Sequence, residues 1–293
     1  MEAGACGVSA DNRVLGNTLG HSVGIIRRLK VLKAVAFVTY KEWAAYRSHM
    51  LLSLLVGPAF FLAQLFIWKA IYTGKESLGG FTLAQMLTYY GASSIIYYLV
   101  MDFADWNLQM LIHTGRFLTF ALRPLSHRFF ALGQKVGHRS LGFLFEFIPV
   151  WLIFAFVFRI PLIPKEPLWA LASIALGFVM MFLINYSVGV LAFWLTRTDG
   201  IRALFRLFRD LLAGTFIPLS FFPPILQAIL FFLPFQFITY VPVRVFLGSY
   251  ELAGISMSIP QIVGIQAMAV IVMWVVSGLL FRLGIKKYTG VGA

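Results

Sequence analysis

The chain has 293 residues, of which 60% are hydrophobic and 12% charged, with a mean hydropathy of +0.86. Those values lie outside soluble-domain composition and leave room for six or seven helical spans of about 20 apolar residues, with no separate soluble catalytic domain. The net charge of +13 sits between apolar runs, which reads as membrane topology rather than nucleic-acid binding, and the single Cys6 excludes an internal disulfide.

Residues 1–24 are rich in Gly, Ala and Ser without apolar periodicity, and are expected to be a disordered extension. They lack the basic start and apolar core of a cleaved signal peptide. From Arg27 to Arg47 the period turns helical: Leu29, Leu32, Ala36, Tyr40 and Trp43 share one face, opposite Arg27, Lys30, Lys33 and Lys41. This predicts an interfacial helix that binds anionic headgroups, and it also offers a docking surface for a cytosolic partner.

Spans are predicted at about Met50–Tyr72 and Leu83–Ala104, the second carrying Tyr89, Tyr90, Tyr97 and Tyr98 as packing anchors or as lining of a polar path. Residues 105–139 form the longest polar segment, with a helix along the membrane face expected to end near Arg123-Pro124. His113, His127 and His138 are spaced by 14 and 11, which matches no zinc pattern, so no metal is expected.

A third span is placed at Ser140–Phe158, with Glu146 inside it as a functional candidate or as the partner of a basic flank. The fourth, Trp169–Leu195, carries Asn185 and Tyr186 as interhelical hydrogen bonders. Residues 196–210 are basic and amphipathic, leading as a helix into a fifth span that continues to about Phe216; Pro260–Phe281 is the last span.

Between the fifth and last spans lies the stretch around which the chain is organised, Leu211–Gly248, interrupted by Pro218, Pro223, Pro224, Pro234 and Pro242. Proline removes a donor and clashes with the preceding turn, while unpaired peptide groups are excluded from lipid. A re-entrant set of short helices sheltered by protein satisfies both constraints.

Putting both termini and the 105–139 and 196–210 segments on the cytoplasmic side places nineteen of twenty-four Lys and Arg there, seven, five, four and three from the N-terminal segment, the two loops and the tail. The expected architecture is all-α: six transmembrane helices, an N-terminal amphipathic helix and a proline-broken re-entrant segment, with residues 25–293 as one transmembrane domain. No HExxH or GxSxG motif is present; with no phosphate-binding loop, and only Glu146 as an ionisable candidate for ion coupling, the energy source for any transport is expected on another polypeptide.

The arrangement resembles the permease subunits of type-2 ATP-binding-cassette transporters, most closely a bacterial subfamily in which two related permeases accompany one ATPase. The matching strings are HTGRFLTFALRPLSHRFF at His113–Phe130 and the landmarks Gly214, Pro218, Phe222, Pro223, Pro234, Phe235, Pro242 and Gly248. The resemblance implies that Gly115, Arg116, Leu122, Arg123 and Pro124 belong to a loop contacting the ATPase. It implies further that the interfacial helix with Lys30, Lys33, Lys41 and Trp43 braces that ATPase, and that the segment after Gly214 gates the outer face.

Tyr90, Tyr97, Glu146 and Asn185 are candidate path-lining residues. No catalytic residue and no cofactor are expected in this chain, ATP and Mg being bound by the partner ATPase. The expected setting is the bacterial inner membrane, with both termini cytoplasmic and with lipid and a second permease as further partners. Export of an amphipathic or lipophilic solute is the first reading; an integral membrane enzyme acting on lipid is the alternative.

Overall fold

The computed structural model describes residues 25–45, 54–123, 125–160, 162–195 and 198–288. The expected extension at 1–24 and Pro124 lie outside these. Eleven helices and one hairpin are described, and we number them in chain order. They are α1 (Ile25–Ala44), α2 (Val56–Ile71), α3 (Leu83–Val100), α4 (Ala104–His113), α5 (Phe117–Ala121), α6 (His127–Phe156), α7 (Pro167–Val190), α8 (Asp199–Leu212), α9 (Pro224–Phe232), α10 (Tyr240–Phe246) and α11 (Ile259–Ile285). The hairpin strands are β1 (Tyr250–Leu252) and β2 (Ile255–Met257).

Among the described residues, three helices are long and apolar enough to cross a membrane: α6, α7 with its short continuation to Phe193, and α11. Helix α2 is apolar but shorter, with 16 residues described. The 27 residues of α11 measure about 40 Å at 1.5 Å per residue. They separate two ends of the bundle: a basic end, where Tyr288 meets Gly115, and a hairpin end, where Ile259 and Ile262 join the core beneath α10.

Helix α7 is central and packs on α11, α4, α10 and α3, while α2 packs on α3 and α1 lies along the first half of α6. A Cβ on Gly137 of α6 would overlap the backbone carbonyl of Ala36, and one on Gly133 would sit 3.1 Å from Val35. These two glycines, one turn apart, let α1 approach at backbone contact. Gly137→Val is therefore expected to lift α1 off α6, read as faster limited proteolysis within residues 25–44, while the thermal midpoint of the remaining bundle stays within a few degrees. Unchanged protection of α1 would refute the glycine seat.

Helix α6, the predicted third span, starts at His127, thirteen residues before the expected Ser140. Lys135 and Arg139 were expected in a polar loop, yet both lie inside the helix and are buried, because carbonyls of other helices accept hydrogen bonds from them. A π-helical turn at Phe143–Phe147 interrupts it and carries Glu146.

Helix α8 ends at Leu212 and does not continue to Phe216, because Gly214 adopts φ +79°, where a side chain would be strained and would also press on Tyr89 and Tyr240. The hairpin was not expected. Ala253 and Gly254 both have positive φ, which gives a two-residue turn of the hairpin-forming hand, with Leu252 paired to Ile255.

Candidate functional site

The proline-broken stretch folds at the hairpin end. Each proline starts an element rather than interrupting one: Pro218 precedes a 3-10 turn, Pro224 opens α9 after Pro223, Pro234 opens a second 3-10 turn, and Pro242 lies in the first turn of α10. There a missing N–H leaves nothing unpaired. Carbonyls released by these breaks are collected by side chains from elsewhere. Tyr89 and Tyr90 donate to the carbonyls of Gly214 and Phe216 at 2.6 and 2.8 Å, and Tyr240 donates to that of Glu251 at 2.7 Å.

Glutamines do the rest. Gln227 donates to the carbonyls of Ser220 and Phe222 and accepts from Ala253 N–H. Gln236 donates to the carbonyl of Phe231 and accepts from Tyr250, and Gln266 of α11 donates to those of Ser173 and Phe237. The segment is thus a cap whose freed carbonyls find donors inside the chain, while Ser220 Oγ and Arg244 Nε are buried without a hydrogen-bond partner among the described residues. Phe235 lies 6.1 Å from Phe205 of α8, ring to ring, and Gly248, with φ +76°, lies against the Lys165 side chain.

A layer of buried charge crosses the bundle on the basic-end side of this cap. Arg209 of α8 holds Asp210 through two hydrogen bonds of 2.8 and 2.9 Å and donates to Asn185 Oδ1 of α7 at 2.5 Å. Asn185 in turn donates to the carbonyl of Asp102, between α3 and α4. Lys135 of α6 donates to the carbonyls of Val100 and Phe178, and Arg139 donates to Glu146 at 3.0 Å and to the carbonyl of Tyr98 at 2.8 Å.

Asp105 of α4 faces Arg202 and Arg206 of α8 at 3.6 and 3.7 Å. Gln109 of α4 donates to Asp199 of α8. The layer thereby joins α3, α4, α6, α7 and α8. Gly142 leaves the space that Arg139 and Glu146 occupy, since a Cβ there would lie 2.8 Å from Glu146 Oε2.

At the basic end α4 and α5 are joined through Gly115, whose φ of +70° turns the chain between them. Helix α5 is one turn and a half anchored from below. Phe117 and Phe120 are buried, Phe117 packing edge-on to Phe193, Phe281 and Tyr288. The other side is open: Leu118 is 50% exposed and Leu122 78%, with Arg116 and Arg123 exposed beside them. Trp106 and Met110 of α4 are also more than 40% exposed.

Of the residues singled out in the sequence, Arg116, Leu122 and Arg123 are exposed around α5, and Gly115 turns the chain ahead of it. Lys30, Lys33 and Lys41 point to solvent from α1, and Trp43 rests on His138 with ring centres 4.1 Å apart. Tyr90, Glu146 and Asn185 are bonded within the chain, and Tyr97 is half-buried next to them. Leu118, Trp106, Arg209, Asp102 and the three glutamines were not singled out; the signal for the glutamines was their isolation in apolar runs. His113, His127 and His138 are not brought together, each meeting a different partner: the Leu195 carbonyl, the Tyr186 hydroxyl and Arg139. No cluster of His, Cys, Asp or Glu suited to a metal occurs among the described residues.

Comparison with protein families matches residues 59–292 to the family described as ABC-2 family transporter protein. Comparisons with curated proteins and with solved structures gave no match. The match covers most of the chain, including the open face at α5, the charged layer and the cap. The chain belongs to the ABC-2 transporter family, as a membrane subunit of transport whose ATP-hydrolysing partner is a separate ABC subunit.

Proposed function

We propose that this ABC-2 family chain is the permease subunit of an exporter for an amphipathic or lipophilic solute, and that its ATPase docks on the open face of α5. The observation that carries the reading is Leu118 and Leu122 held outward on a short helix whose other side is fixed by Phe117 and Phe120. An exposed apolar pair on a rigid mount, rimmed by Arg116 and Arg123, has the anatomy of a binding hot spot. Movement of α5 passes to α4, whose Asp105 bears on Arg202 and Arg206 of α8, and α8 ends at Leu212, two residues before Gly214, whose carbonyl Tyr89 holds at the start of the cap. A push at one end is thereby delivered to the other.

In this reading the basic end faces the cytoplasm of a bacterial inner membrane, with both termini there, in line with the distribution of Lys and Arg. The cap is the outer re-entrant gate between five spans and a sixth. Helix α8 turns Arg202, Arg209 and Asp210 inward and leaves Ile201, Leu204, Leu207 and Phe208 about half exposed, a stripe offered to a second permease, identical or paralogous. Tyr97 and its neighbours then border the path between the two.

Affinity purification of the chain in mild detergent tests the assignment. The expected result is recovery of an ABC ATPase subunit together with ATP hydrolysis. A chain that purifies alone and without hydrolysis under several mild detergents would remove the energy source and with it the proposal.

A further inference from the structure

A groove of about 380 Å³ opens at the basic end between α5, the start of α6 and the last three turns of α11. Its walls are apolar, with Phe120, Trp274, Leu279 and Ile285 among them, yet it holds two guanidinium groups, Arg128 and Arg282, and its lining includes no Asp or Glu. Arg128 is held in place: its ring-stacked guanidinium lies 4.2 Å from the Trp274 ring centre, and Nη1 donates to the Trp274 carbonyl and to Ser277. Gly278 makes this possible, since a Cβ there would lie 2.8 Å from Arg128 Nη1. Those bonds use one nitrogen and leave the others for a ligand.

Position along α11 says what that ligand is. The outer side of this helix is an apolar ridge, with Met268, Ile271, Val272, Val275, Leu279 and Leu283 each more than half exposed, and Arg282 brings the first charge to it in the last turn. The groove therefore lies where a hydrocarbon-facing surface gives way to charge. The first turn of α6, Ser126 to Arg128, lines it as well, and its backbone N–H groups have no intrahelical partners.

We infer that this groove is a seat for one anionic phospholipid, its phosphate between Arg128 and Arg282 and its upper acyl chains along the α11 ridge. Guanidinium groups pair with phosphate oxygens through parallel hydrogen bonds, and a zwitterionic headgroup brings an ammonium that two arginines repel. A bound lipid would wedge between α11 and Phe120, on the side of α5 opposite its open face, and so brace the docking helix. The inference rests on the proposed orientation, in which this end meets the anionic cytoplasmic leaflet.

The test is native mass spectrometry of the detergent-purified chain with its copurifying ATPase, incubated with phosphatidylglycerol and phosphatidylcholine of identical acyl chains. Retention of one phosphatidylglycerol per chain, favoured roughly tenfold over phosphatidylcholine, is expected. Arg282→Gln should remove most of that preference. Leu279→Trp, which keeps both arginines and fills the groove, should also abolish retention and so separates loss of the seat from loss of charge. Equal retention of the two lipids, or retention unchanged in both variants, overturns the inference. So does displacement of the lipid by millimolar inorganic phosphate, which would identify a free-anion site, or its loss only when the ATPase is bound, which would assign the groove to protein. Lipid retention is measured whether or not an ATPase copurifies, so failure of the transport reading registers separately.

Discussion

Replacing Leu118 and Leu122 together with Asp is expected to abolish association with the ATPase while the chain still inserts and purifies as wild type. Both side chains are at least half exposed, so neither holds the fold, and Phe117 and Phe120 continue to anchor α5. Burying a leucine against a partner contributes about 1.5–3 kcal/mol, so losing two removes roughly 3–6 kcal/mol, a factor of at least a hundred in affinity. Arg116→Ala with Arg123→Ala, on the rim, should cost no more than about 1 kcal/mol each, because exposed ion pairs are worth little and are screened by salt. The ranking is the sharp part. Association measured by co-purification, with ATP hydrolysis as a second readout, should fall far more for the leucine pair than for the arginine pair. If the arginine pair proves the more damaging, recognition is electrostatic and the docking face has been drawn around the wrong residues.

That ranking reverses the emphasis of the sequence, where Arg116, Arg123 and Pro124 stood out and Leu118 did not. A run such as RFLTFAL carries four large apolar residues in about two turns, and only the packing of Phe117 against Phe193, Phe281 and Tyr288 and of Phe120 against His127 and Phe130 tells which two face outward. What the sequence does disclose is periodicity and punctuation. The amphipathic helix read at Arg27–Arg47 is α1, and the span read at Pro260–Phe281 is α11 with a turn added. Five prolines between Leu211 and Gly248 disclosed a broken segment, and each of them does open or border a short element.

Illegible were the features whose cause lies elsewhere in the chain. Lys135 and Arg139 make the start of α6 read as a loop, because an apolar window cannot know that Val100, Phe178 and Tyr98 present carbonyls to them. The same holds for the cap. Gln227, Gln236 and Gln266 are single polar letters in apolar runs, and their purpose appears only with the carbonyls that the prolines release. The hairpin at Tyr250–Met257 escaped because its turn is Ala-Gly, without the Asn-Gly or Asp-Gly that marks such a turn in sequence.

The charged layer carries the other large effect. Arg209→Ala removes both bonds to Asp210 and the bond to Asn185, leaving a carboxylate with only 12% of its side-chain surface accessible and no cation bonded to it. Breaking a buried pair by deleting one partner costs about 3–5 kcal/mol, and for a chain of this size that lowers the thermal midpoint by on the order of 10 °C. Removing both charges is different. Arg209→Met with Asp210→Asn leaves no uncompensated ion, and most of the lost midpoint should return, since a buried ion pair contributes little net stability over a well-filled apolar one. Were the double variant as unstable as the single, the layer would be a structural necessity rather than a pair of cancelling charges. If instead stability returns while ATP hydrolysis no longer responds to the substrate, the pair serves motion: it keeps α8 registered to Asn185 of α7 as Asp105 transmits the push from below. A double variant that restores both stability and coupling would show that α8 needs no charge to follow α4, and would remove the layer from the proposed route between the docking face and the cap.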